Sequence, residues 1–181
     1  AVMHSHARLT YNKVGAMLEQ PESEEGEALR EQYSERVADL ECLYDLYRCL
    51  RRSRDQRGAI DFDTVETMIV FGENRKIEEI VPVVRNDAHK IIEECMLCAN
   101  VATARFLIKH EVNAVLRIHE GPGEEKLHNL RSFLGELGLE LTGADEPAPS
   151  DYQRLIKQIN DRPDFNVIQT VMLRSLSQAY Y

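Results

Sequence analysis

NDAHKIIEECMLCANVATARFLIKH, residues 86–110, decides the fold. Its apolar residues recur on nearly every side at helical spacing, which predicts one long buried helix. Two adjacent carboxylates, Glu93 and Glu94, stand in its middle. At about 100° per residue, Glu93 shares a sector with His89, Leu97 and Asn100, whereas Glu94 lies near Lys90 and Val101. Lys90 and Glu94 have the i,i+4 spacing of an ordinary helix ion pair; Glu93 has no such partner on the helix. An ionised carboxylate among apolar side chains is costly unless it is paired, bound to a metal or neutralised. A partner for Glu93 is therefore expected from elsewhere in the fold. Two readings stay open, a structural ion pair with a distant Arg and a catalytic carboxylate.

Working outward, GAIDFDTVETMIVFGENRKIEEIVPVV (58–84) holds three short β-type runs with a GEN turn between the second and third. That pattern predicts a small antiparallel sheet. From Ala28 to about Arg54, apolar residues from Leu29 through Tyr33, Val37, Leu40 and Tyr44 to Leu50 recur at threes and fours, the mark of one long amphipathic helix. Before it, residues 1–9 read as a strand, Thr10 opens a short helix carrying Val14 and Met17, and PESEEGE (21–27) is a loop. Downstream, NAVLRIHE (113–120) reads as a strand and GPGEEKLHNLRSFLGELG (121–138) as a loop and helix. GADEPAPS (143–150) is a break, and two more helices cover DYQRLIKQIN (151–160) and the residues from about Phe165. The expected class is α+β, mostly helical with a small antiparallel sheet, in a single domain over 1–181.

With 181 residues, 43% hydrophobic and 29% charged, and no apolar run near the ~18 residues of a membrane span, the composition fits a soluble globular protein with no membrane partner. Cys42, Cys49, Cys95 and Cys98 fall within two helical patterns instead of across short loops, which suits a reducing, cytoplasmic setting. A net charge of −9 argues against simple electrostatic capture of nucleic acid. The chain opens in an apolar run without an initiator Met and stops inside a helical pattern, so a fragment of a longer protein is expected.

Other candidate chemistry has a plain counterpart in each case. The arginines of YRCLRRSRDQR (47–57) suit the negative end of a helix or a phosphate-contacting patch. Cys95 and Cys98 have the C-x-x-C spacing of zinc and redox sites, but no second pair matches it, and packing accounts for them. His4 and His6 fall on one side of a strand, with nothing to complete a metal site. Free N–H groups near HEGPGEEK (119–126) could hold an anion that Glu120, Glu124 and Glu125 would repel. Phe62, between two aspartates, is either core or a platform on which a base stacks.

SHARLTYNKV (5–14), RGAIDFDT (57–64), RNDAHKIIEECMLCANVATARFL (85–107) and HEGP (119–122), in this order and spacing, resemble the ribonuclease R branch of the ribonuclease II family of 3′-to-5′ exoribonucleases. The resemblance runs through essentially the whole chain, and RNDAHKIIEECM is its most specific part. It implies a partial catalytic RNB domain of an enzyme that hydrolyses single-stranded RNA to nucleoside 5′-monophosphates with Mg²⁺ held by an aspartate cluster. By motif match, Glu93 is the first Glu of the Glu-Glu-x-Met helix, which lines the cleavage site. Phe62 is the aromatic that ends the Ala-Ile-x-Phe strand and stacks on bases.

The family's aspartate cluster, second clamp aromatic and Ser-Pro-Ile-Arg motif do not occur in residues 1–181, nor do its cold-shock and S1 domains. This chain alone is therefore expected to bind no Mg²⁺ and to be inactive. Single-stranded RNA is the expected partner of the longer enzyme, with no DNA partner. The competing expectation is a non-catalytic helical scaffold or interaction module in which Glu93 serves a structural ion pair.

Overall fold

The computed structural model describes residues 2–62 and 66–181. The chain divides into two compact units, one of Ala1–Arg52 and Val65–Arg105, the other of Ser53–Thr64 and Phe106–Tyr181.

In the first unit, α1 (Tyr11–Glu19) starts at Thr10, whose hydroxyl accepts from the Lys13 N–H. Met17 buries its inner face as the spacing requires. The expected strand over residues 1–9 is not formed. Val2 and Met3 lie in solvent, and an extended run without a partner strand has nowhere to place its backbone hydrogen bonds.

The expected loop at 21–27 is shorter than read. Ser23 caps α2 (Glu24–Gln32) by accepting from the Gly26 N–H at 3.0 Å, and Glu24, Glu25 and Glu27 suit the positive helix end. The long helix predicted from Ala28 breaks at Tyr33, whose φ of −113° and ψ of 29° are not helical. α3 (Ser34–Gln56) resumes at once. Apolar periodicity runs unbroken through that joint, so the pattern could not show it.

β1 (Thr67–Phe71) and β2 (Ile77–Pro82) pair antiparallel with Ile69 opposite Ile80, as two of the three β-type runs predicted. The turn between them is the GEN turn, where Asn74 takes φ 63°, a left-handed conformation that Asn tolerates. Of the first run, Ala59–Phe62 is not a strand, and residues 63–65 lie outside the described residues. α4 (Asp87–Lys109) is the helix of the opening stretch.

The second unit has the larger core. α5 (Glu124–Glu136) contributes Leu127, Leu130 and Leu134, and α6 (Pro149–Ile159) contributes Tyr152, Leu155 and Ile159, each set at i, i+3, i+7. α7 (Phe165–Ser175) adds Ile168 and Met172, and Leu139 and Leu141 complete the cluster. Gly138 ends α5 at φ 70°, a conformation a side chain resists, while the Leu139 N–H donates to the Leu134 carbonyl at 2.9 Å. Pro149 opens α6, and the Asp151 carboxylate accepts from the Ala148 N–H at 2.9 Å. The strand predicted at 113–120 reduces to one bridge, Ile118 to Tyr180, because no longer edge lies beside it. Among the described residues no helix is long and apolar enough to cross a membrane.

Candidate nucleic-acid interface

The start of α4 is held by polar contacts more than by core packing. Asn86 precedes the helix, and its Oδ1 accepts from the His89 N–H at 3.3 Å in the manner of an N-cap. The Asn86 Nδ2 donates to the Tyr11 carbonyl at 3.0 Å, and the Asp87 N–H donates to Glu19 at 3.3 Å, which ties α1 to this end of α4. The His89 ring stacks on Tyr11 with centroids 3.9 Å apart. Gly15 permits the approach, since a Cβ there would overlap the Asn86 amide.

Asp87 is the hub. The Tyr44 hydroxyl donates to it at 2.7 Å and the Lys90 Nζ at 2.8 Å. Burial pushes the Asp87 carboxyl up, but the hydrogen bonds from Lys90 and Tyr44 and the charges of Lys90 and Arg48 outweigh it, so the group titrates below its ordinary value. Lys90 is raised, chiefly by its hydrogen bond to Asp87, against the pull of burial. Tyr44 is raised by the same carboxylate, and the Arg48 guanidinium lies 4.2 Å over its ring. Tyr47 stacks beside it at 6.0 Å.

Lys90 is engaged by Asp87, three residues earlier on the same helix. Glu94, not Glu93, is the buried acid. It is 6% exposed, on the stripe that also buries Ala88 and Ile91 six and three residues earlier. Tyr47 titrates above its ordinary value, chiefly through burial and then the Asp87 charge, with the Glu94 charge adding least.

Glu93 is partly open, its side chain 44% exposed, and its Oε2 accepts from the Arg85 Nη2. The partner expected from a distant part of the fold is thus local, eight residues upstream, between β2 and α4. The helix itself is not enclosed on all sides as the sequence suggested. Met96, Leu97, Val101 and Phe106 are exposed, because the segments of this chain do not surround it.

Phe62 belongs to the second unit, where it is partly buried against the core with Ile60. Its segment is fixed on one side by Arg54, which donates to Asp61 at 2.6 Å, and on the other by Gln153, which donates to the Ala59 carbonyl at 3.3 Å. Glu93 and Phe62 therefore stand in different units.

The arginine-rich end of α3 is partly used within the protein. Arg54 is taken by Asp61, and Arg48 by Tyr44 and by Asp45 at 3.6 Å. His4 and His6 do lie side by side, with rings 4.7 Å apart. Among the described residues no three His, Cys, Asp or Glu side chains converge on a point that could hold a metal ion. Sequence reasoning missed the Asp87 hub, whose only signal was an Asp in the first turn of α4, and a cluster of cations around Arg117 and Arg174 in the second unit.

The chain belongs to the RNB domain family, whose model matches residues 1–181. Among curated relatives it is 56% identical over 181 residues to Ribonuclease R of Vibrio cholerae, covering all of this chain and 21% of that protein. Among solved structures it matches Mycoplasma genitalium RNase R in complex with ribose methylated single-stranded RNA, at TM-score 0.78 and 25% identity over 94% of this chain and 26% of that one. The same enzyme in complex with double-stranded RNA matches at TM-score 0.79 and 25% identity, over 94% of this chain and 30% of that one. The chain spans about a fifth of the length of the curated relatives it matches.

Proposed function

We propose that this chain is part of a 3′-to-5′ exoribonuclease that hydrolyses single-stranded RNA to nucleoside 5′-monophosphates. The observation that carries the reading is 56% identity to a Ribonuclease R along the whole chain, with the Glu93 helix intact. Glu93 is the proposed catalytic residue. Arg85 holds its carboxylate, and the side chain is 44% exposed, so a ribose hydroxyl or an attacking water can approach it. Phe62 is the proposed stacking residue, its partly exposed ring offering a face to a base. Related solved structures hold single-stranded and double-stranded RNA, so the single-strand preference belongs to this proposal.

Mg²⁺ is the proposed cofactor of the longer enzyme, supplying activation of water and stabilisation of the leaving oxygen. Among the described residues no three candidate metal ligands converge, so the aspartates that would hold it are expected from the rest of the longer enzyme. The 181-residue chain alone is accordingly expected to release no mononucleotides from labelled poly(A), while a full-length protein carrying it releases them from the 3′ end with chelator sensitivity. Chelator-sensitive release by the chain alone contradicts this assignment of parts, and an inert full-length protein contradicts the exoribonuclease reading.

The Arg85–Glu93 pair also favours a second reading, a scaffold in which Glu93 only fixes the entry to α4. Under that reading, substitution of Glu93 lowers the melting temperature and leaves activity per folded molecule unchanged.

A further inference from the structure

The second unit contains a concavity that the proposed function does not use. It is a cavity of about 750 Å³ walled by Arg117, His119, Lys126 and Arg174 above an apolar floor of Leu173 and Leu176. The volume lies within the roughly 300–1,000 Å³ of small-molecule clefts. Among the described residues no carboxylate lines it, although the chain as a whole carries a net charge of −9.

The backbone explains why the cations converge. The Ile118 N–H donates to the Tyr180 carbonyl at 2.7 Å and the Ile118 carbonyl accepts from the Tyr180 N–H at 2.9 Å. Side chains alternate along such an extended bridge, so Arg117 and His119 share one side and Ile118 takes the other. The opposite wall, from Leu176 to Ala179, is fastened to the same segment. The His119 Nε2 donates to the Ser177 carbonyl and the Ser177 hydroxyl to the Gly121 carbonyl, both at 2.7 Å. Lys126 donates to the Leu176 carbonyl at 3.3 Å.

Arg174 suits the C-terminal turn of α7, but Lys126 stands in the first turn of α5, where the helix macrodipole works against a cation. Among the described residues neither Arg117 nor Arg174 meets a carboxylate at ion-pair distance. Glu120, the acid next in sequence to His119, is engaged by the Tyr180 hydroxyl at 3.0 Å and does not line the cavity.

We propose that this cavity binds the phosphodiester backbone of a single-stranded RNA segment. Arg117 and Arg174 supply guanidinium forks and Lys126 a point charge to the phosphate oxygens, and the leucine floor packs against sugar or base. The inference rests on RNA being the ligand of the longer enzyme and adds a binding site separate from Glu93 and Phe62.

The test follows the His119 ring resonances of the 181-residue chain by NMR during titration with a ten-nucleotide oligo(A) RNA, with inorganic phosphate and with oligoglutamate. RNA and phosphate are expected to move the His119 signals. The double variant R117Q/R174Q is expected to lower RNA affinity at least about tenfold and to flatten the log–log salt slope by about 1.4, at roughly 0.7 per cation removed. Its melting curve serves as the folding control, and Lys126→Gln, with a smaller loss in the same direction, is the second variant.

RNA binding that leaves His119 unmoved, or that survives the double variant with the wild-type salt slope, overturns the site while leaving the RNA reading intact. A His119 response to oligoglutamate but not to RNA overturns it in favour of an acidic protein segment. Absence of any response overturns it outright, whereas the exoribonuclease reading stands or falls on the separate mononucleotide-release assay.

Discussion

The unit built from α5, α6 and α7 and the unit that carries Glu93 manage apolar side chains in opposite ways. In the former, Leu134, Ile159, Ile168 and Met172 have no exposed surface at all, and three helices contribute to one continuous cluster. In the latter, buried apolar residues are few, among them Met17, Leu29, Ala88 and Ile91. Both strands of its hairpin and the outer faces of α4 present Met68, Phe71, Ile80 and Met96 to solvent. What organises α4 there is a polar hub around Asp87 and a capping Asn86. One unit is ordered by hydrophobic burial and the other, around its candidate site, by hydrogen bonds and charge. The contrast fits a segment whose apolar helix serves the larger enzyme proposed above, since about four-fifths of the relatives' length lies outside the part this chain matches.

Substitutions should separate the two modes, the core giving the largest effect. Leu134→Ala removes a side chain with no exposure and is expected to cost about 2–5 kcal/mol, read by chemical denaturation of the chain. A loss below about 1 kcal/mol would mean that the α5–α7 cluster is not the tight core described. Tyr44→Phe removes one hydrogen bond to Asp87 at a partly exposed site and is expected to cost about 1 kcal/mol, with the Lys90–Asp87 contact retained.

The hub should also show in the pH dependence of stability. Asp87 titrates lower when folded than unfolded, so its contribution is complete above the ordinary carboxylate pKa of about 4 and is lost as pH falls through the lower folded value. Lys90 titrates higher when folded, so its contribution is complete below about 10.4 and is lost as pH rises through the folded value. Denaturation midpoints at acid pH should therefore fall less steeply in Asp87→Asn than in the wild type. The smallest effect belongs to Met96→Ala, within about 0.5 kcal/mol in this chain because the side chain is 59% exposed.

Much of the fold was legible in the sequence, and the exceptions have physical causes. α1, α4 to α7 and the β1–β2 hairpin followed from periodicity, from Thr10 as a cap and from the GEN turn. The break at Tyr33 escaped notice because apolar spacing continues across it. The strands at residues 1–9 and 113–120 failed because a strand depends on a distant partner that its own residues do not specify. At the candidate site, helical spacing put Glu93 and Glu94 in different sectors correctly, but it exchanged their surroundings. Burial depends on which helix face other segments cover, and the sequence of α4, apolar all round, does not choose a face. Arg85, outside the helix, could not be found by i,i+4 counting. The basic cavity escaped because Arg117 and Arg174 are far apart in sequence and are brought together by the tertiary contacts around the Ile118–Tyr180 bridge.

The central claim is that Glu93 acts on substrate and is not merely the partner of Arg85. The most direct measurement is single-turnover cleavage of a 3′-labelled RNA by a full-length protein carrying Glu93→Gln, alongside its melting curve. The expected result is a rate lowered on the order of 100-fold, the scale of a lost electrostatic contact at a reacting centre, with a melting temperature close to that of the unsubstituted protein. An unchanged rate per folded molecule together with a lowered melting temperature would contradict the claim and leave Glu93 as a structural ion pair.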